Sequence, residues 1–198
     1  MALTAEQQIA ATYVAFFGRA ADAGGFAFWL DEFEAGLPTK GPAVLFADIA
    51  SSHAVSPEAK ALHPFLADHP FEASDGQIAD FLKGVYDNLF NRPPDADGVI
   101  YWTGQVEQTL ATGRFVGSVL VDIMSGAQDT AAGRDLTTLM GKVAVSLAYV
   151  REQQEHDMAW AGASDVAAAT ALLEAVTADP ASVLIGLRNA EALVANHA

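Results

Sequence analysis

The sequence predicts an all-α fold, a multi-helix orthogonal bundle of about ten helices built on a duplicated helix-turn-helix unit. Three observations predict it. Apolar residues recur at helical spacing along nearly the whole chain. Alternating Val/Ile/Thr runs bounded by hairpin turns are missing. Tyr13, Phe16, Phe17, Arg19, Asp22, Gly25 and Trp29 reappear as Tyr86, Leu89, Phe90, Arg92, Asp95, Gly98 and Trp102, every pair 73 positions apart.

The first helix is placed at 4–17, where Ile9, Tyr13 and Phe16 with Phe17 share a face. Asp22 can cap a second helix at 23–36. Pro38, Pro42, Pro57, Pro64 and Pro70 lie in or beside the connections around helices at 41–52 and 57–67. Ser74 and Asp75 can cap a helix at 76–90, whose face carries Leu82, Tyr86 and Leu89 with Phe90, and Pro93-Pro94 stops it. Helices follow at 96–111, 114–125 and 133–158. Gly162-Ala163-Ser164-Asp165 starts one at 164–178, and Asp179-Pro180 starts the last at 180–195. The chain reads as one domain, 1–198: repeat copy one at 5–62, a linker rich in Pro, His and acids at 63–75, copy two at 76–130, and C-terminal helices at 131–198. A second echo, Leu45-Phe46-Ala47-Asp48-Ile49 against Val119-Leu120-Val121-Asp122-Ile123, is offset by 74, so one residue is inserted between.

The repeated residues have a physical reading. Gly18 and Asn91 stand where the first helix of each copy ends, and both types tolerate the left-handed cap conformation. Arg19 and Arg92 follow, placed to bond orphan carbonyls or the nearby Asp. Asp22 and Asp95 cap the next helix. Gly25 and Gly98 are read as permitting close helix approach, and Trp29 and Trp102 as locking the corner. Truncating either Trp to Ala is therefore expected to destabilise by about 3–5 kcal/mol, as for core aromatics.

Composition excludes several function classes. Ten Lys and Arg against 25 Asp and Glu give a net charge of −15, which repels nucleic acid and anionic lipid and favours basic partners or divalent cations. Cysteine is absent, which removes disulfides, thiol catalysis and zinc-thiolate sites. No apolar run approaches the roughly 18–20 residues of a membrane span. The first basic side chain is Arg19, so no cleavable secretory signal is expected.

The pattern Tyr13-x-x-Phe16-Phe17-Gly18-Arg19-Ala20-Ala21-Asp22-Ala23-Gly24-Gly25-Phe26-Ala27-Phe28-Trp29, with Tyr86 to Trp102 as its second copy, resembles the bacterial domain of unknown function four-two-one-four, whose signature has an LxGRxPDxxGxxYW-like core. It is also distantly similar to the helical linker domains of phycobilisomes. The resemblance implies an N-terminal module of large type I-secreted proteins: surface-layer proteins, adhesins and haemolysin-type calcium-binding proteins. In some surface-layer proteins that region anchors the lattice to lipopolysaccharide. The glycine- and aspartate-rich nonapeptide repeats of such proteins are missing here, so the chain is expected to be an N-terminal fragment of a longer one.

Catalytic chemistry has no foothold. There is no Gly-x-Ser-x-Gly elbow, and Lys83-Gly84 and Gly141-Lys142 lack the rest of a phosphate-binding loop. No cofactor is expected, calcium being the one ion the acids could hold: Asp95 and Asp97 before Gly98 open like a calcium loop, but Val106 stands where the bidentate Glu belongs. Helix capping accounts for them better. His53, His63 and His69 lie among acids without the spacing of a zinc site. Glu152, Glu155, His156 and Asp157 read as a solvated helix end. Phe26, Phe28, Trp29, Tyr101 and Trp102 could stack on sugars or fill a core, and helical recurrence favours the core. The expectation is a non-catalytic domain, secreted or at the cell surface, that anchors or assembles a protein through lipopolysaccharide, another surface polysaccharide or copies of itself. The alternatives are a scaffold of the phycobilisome-linker type and the N-terminal module of a calcium-binding adhesin.

Overall fold

The computed structural model describes residues 3–67, 72–130 and 133–197. Among these lie ten α-helices and no strand: α1 (Ala5–Phe17), α2 (Ala23–Gly36), α3 (Pro42–Ala54), α4 (Pro57–Leu62), α5 (Asp75–Phe90), α6 (Ala96–Ala111), α7 (Gly117–Ser125), α8 (Asp135–Glu155), α9 (Ala163–Glu174) and α10 (Pro180–Ala195). The all-α class is as the sequence predicts. None of the described helices is long and apolar enough to cross a membrane.

Local chemistry sets the boundaries. Thr4 with Gln7 and Ser74 with Gln77 form capping boxes at the starts of α1 and α5, so both copies open with the same device. Both first helices end in a left-handed residue, Gly18 at φ 62° and Asn91 at φ 56°. The helix expected at 57–67 ends at Leu62, because His63 precedes Pro64 and takes φ −126°, ψ 83°, outside the α region. A 3₁₀ turn at Pro64–Leu66 follows, with Phe65 and Leu66 buried. The first part of the expected linker is therefore packed chain; residues 68–71, His69 among them, lie outside the described residues. The helix expected at 114 begins at Gly117, after Gly113 turns the chain at φ 72°.

Helix α1 is the hub. Every residue from Ile9 to Phe17 is buried, so the helix is covered on all sides. It packs on α2, α3, α4, α5, α7 and α8, and α8 in turn carries α10 and α9. The copies join through equivalent elements, α1 on α5 and α3 on α7. At the second contact Gly117 sits so close to α3 that a Cβ there would lie 2.3 Å from the Ala50 carbonyl carbon and the Ser51 nitrogen. Only glycine lets these two helices meet at that separation.

Candidate functional site

Each repeated motif folds into a corner between its first and second helices. In copy one, Asp22 Oδ1 accepts from the Gly25 N–H at 2.7 Å; in copy two, Asp95 Oδ1 accepts from the Gly98 N–H at 2.7 Å. Both acids are N-caps, as their spacing predicts. Gly25 faces the Tyr13 hydroxyl, which a Cβ would approach to 2.2 Å, so this glycine does admit α1. Gly98 is different: its nearest neighbours are Asp95 and Pro94 within its own turn. The close helix approach expected at both glycines is found only at the first.

The arginines hold more than local partners. Arg19 forms a two-pronged bond to Glu58, Nε to Oε1 at 2.6 Å and a terminal nitrogen to Oε2 at 2.9 Å, and also donates to the Ala20 carbonyl at 3.0 Å. Arg92 does the same with Asp135, at 2.8 and 2.6 Å, and donates to the Pro93 carbonyl at 3.0 Å. Asp22 is a weaker companion of Arg19 at 3.4 Å. Each guanidinium lies over its Tyr, Tyr13 at 5.2 Å or Tyr86 at 5.5 Å, and Arg19 lies also over Phe17 and Trp160. Carboxylates Glu58 and Asp135 both stand in the first turn of the helix after the third helix of their copy, α4 after α3 and α8 after α7.

Phe17 and Phe90 are buried, as are Tyr13 and Tyr86. Burial pushes both tyrosine hydroxyls above their ordinary pKa, with Asp22 adding to the effect at Tyr13 and the Trp102 bond opposing it at Tyr86. The Trp102 indole donates to the Tyr86 hydroxyl at 2.8 Å, while in copy one the Trp29 ring stands edge-on to His53 at 5.1 Å. Neither Trp is fully buried. Trp29 and Trp102 pack against the core from its edge, so the full core-truncation cost expected for them is too high.

The aromatics next to the tryptophans are exposed. Phe28 is 54% and Tyr101 58% accessible, and these are equivalent positions of the two copies. Each stands edge-on to its Trp at 4.8 Å. Phe26 is core. Two similar aromatic pairs thus face solvent on the second helix of each copy.

The histidines have different surroundings. His53 sits in a box of Tyr13, Phe16, Phe17 and Trp29 rings at 4.9–6.1 Å, with both ring nitrogens unpartnered among the described residues. Burial, with Arg19 nearby, pushes its pKa down to about 3, so the ring is neutral. His63 donates Nε2–H to the Phe16 carbonyl at 2.9 Å, capping α1. Among the described residues no three His, Asp or Glu are grouped to hold a metal. Asp97 is exposed in the first turn of α6, and one of the two Asp95 carboxylate oxygens, Oδ1, caps Gly98.

A cavity of about 540 Å³ opens where the C-termini of α1 and α5 meet α4, α8 and α9. Apolar Phe17, Leu62 and Val166 line it together with polar Lys142, Asn88 and Glu174. Several of its polar atoms finish helices: Asn88 donates to the Ala15 carbonyl at 3.1 Å and Lys142 Nζ to the Asn88 carbonyl at 2.5 Å. Sequence reasoning weighs Lys142 only as part of a phosphate-binding loop, yet its burial has a signal. It falls in register with Leu139, Ser146 and Tyr149 on the buried face of α8.

No family model, no curated protein and no solved structure matches this chain.

Proposed function

We propose that this chain is a non-catalytic binding and assembly domain of an exported bacterial surface protein, attaching it to envelope glycan or lipopolysaccharide. One observation carries the reading: both copies of the motif present an exposed aromatic, Phe28 or Tyr101, against a half-buried Trp at the same place. A planar aromatic face is the surface to which the apolar side of a sugar ring packs. The polar atoms of the motif are otherwise occupied, Arg19, Arg92, Asp22 and Asp95 all being bonded within the fold. That commits the motif arginines and capping acids to the fold, which supports the non-catalytic reading. The resemblance of the duplicated motif to modules of type I-secreted surface proteins supports the setting.

The acidity shapes the mode of attachment. A chain of net charge −15 is repelled by the phosphates of lipopolysaccharide, so attachment to that glycan proceeds through neutral sugars or through bridging calcium. The test is binding of the purified domain to the producing cells' envelope, with extracted lipopolysaccharide as competitor and calcium present or chelated. Saturable, competed binding that falls at least about tenfold in a Phe28→Ala/Tyr101→Ala double variant, roughly 1.4 kcal/mol, supports the reading. Binding unchanged in the double variant, or absent from the wild type, overturns it.

A further inference from the structure

We infer that the cavity between α1, α4, α5, α8 and α9 is a site for a small uncharged carbonyl compound, an aldehyde or ketone, held as an imine on Lys142. The geometry comes first. Lys142 is 3% exposed, yet it forms a wall of a cavity of about 540 Å³. Its ammonium has three donors and, among the described residues, makes one hydrogen bond, to the Asn88 carbonyl. No carboxylate lies within ion-pair distance of it among the described residues, which leaves a buried cation without a counter-ion in contact. Burial lowers its pKa to about 8, against the opposing pull of Asp87 and Glu174. A desolvated amine of that kind is a nucleophile near neutrality, whereas an exposed lysine is almost wholly protonated.

The surroundings favour the product over the starting amine. The ammonium and the carbonyl compound give a protonated imine and water: the C=O bond breaks, a C=N bond forms, and two of the three N–H protons leave with the oxygen. The third remains and can keep the bond to the Asn88 carbonyl. Its positive charge shares the cavity with the C-terminal ends of α1 and α5 and the acids Asp87 on α5 and Glu174 on α9, while Glu58 on α4 is bound by Arg19 and His63 by the Phe16 carbonyl. The same charges exclude an anionic ligand. Phe17, Leu62 and Val166 supply apolar lining for the ligand's body. No oxidant or reductant is needed.

The experiment treats the folded protein near pH 7.5 with benzaldehyde and cyanoborohydride, which fixes an imine as a stable amine, and maps adducts by peptide mass spectrometry. The expected result is at least about tenfold more adduct on Lys142 than on Lys40, Lys60 or Lys83, because a larger share of its amine is unprotonated. The α-amino group also labels and is the internal standard. Para-carboxybenzaldehyde should label Lys142 at least about tenfold less than benzaldehyde, relative to that standard, since its charge meets Asp87, Glu174 and two helix C-termini. Val166→Phe, which fills the cavity, should bring Lys142 down to the level of the exposed lysines. Adduct spread over Lys40, Lys60 and Lys83 with Lys142 unmodified overturns the proposal, and so does equal labelling by the anionic aldehyde. The wild-type mapping decides the matter even if the variant fails to fold.

Discussion

Removing the carboxylate partners of the two motif arginines should cost unequal amounts of stability. The Arg19 side chain is 5% exposed and that of Arg92 34%, although both bind their carboxylates with two prongs. Glu58→Ala leaves a guanidinium buried under Tyr13, Phe17 and Trp160 with only the Ala20 carbonyl and a long contact to Asp22. A fully stranded buried charge costs about 3–5 kcal/mol, and these residual partners bring the expectation to about 2–3 kcal/mol. Asp135→Ala exposes Arg92 to water that already reaches it, and should cost about 1 kcal/mol. The assay is urea unfolding of each single variant and of Arg19→Met and Glu58→Ala together, analysed as a double-mutant cycle. Glu58→Ala should lower the midpoint about two to three times as far as Asp135→Ala at unchanged slope. The coupling between Arg19 and Glu58 should exceed 1 kcal/mol, about the ceiling for exposed pairs. Equal losses at the two sites, or a larger loss for Asp135→Ala, would refute the claim that burial of the guanidinium sets the difference.

Other outcomes follow from the same contacts. Gly117→Ala should destabilise by about 2–3 kcal/mol despite alanine's better helix propensity, because its Cβ meets α3 backbone that cannot turn aside; a gain in melting temperature would refute the close packing of α3 on α7. Trp102→Ala should cost about 2 kcal/mol and Tyr86→Phe about 1 kcal/mol, the latter through the lost acceptor for the indole N–H, both read by denaturant unfolding. His53, with its pKa pushed from 6.5 to about 3, binds its proton more readily in the unfolded chain. Its contribution to stability is therefore full above pH 6.5 and is lost as pH falls from there toward 3; His53→Leu should flatten the fall in urea midpoint between these limits, and an unchanged pH profile would count against the neutral buried ring.

What could be read from the sequence is what is local. The caps at Asp22, Asp95, Gly18 and Asn91 act over three or four residues, so spacing alone places them. Apolar periodicity locates α1 and α5 for the same reason. The partners of the arginines act over 39 and 43 residues, and a single sequence carries no sign of which acid closes such a distance. Trp160 over Arg19 is likewise set by where α8 and α9 return. The loop at 20–23 shows the effect: its Ala21 and Ala23 N–H groups are satisfied by Ser146 and Gln153 of α8, and its Ala20 N–H by the Ala169 carbonyl of α9. Lys142 lies between these cases. Its burial follows from the period of α8, but the cavity beside it exists only once five helices converge.

The two copies separate what the unit needs to fold from what it carries besides. Both keep the arginine clamp and the Asp cap, each with a bonded partner in the fold. Phe28 and Tyr101 are kept without such a need, since more than half of each side chain meets water. Their edge contact with the tryptophan is worth about 0.5–1.5 kcal/mol beyond the area they bury, a modest part in folding. A leucine in either place would serve an exposed helix better than an aromatic ring. Phe28→Leu and Tyr101→Leu should therefore melt within a few degrees of the wild type while weakening envelope attachment, measured on the same preparations. Melting losses as large as that of Trp102→Ala would show that the exposed rings belong to the fold, and would leave the binding reading without its support.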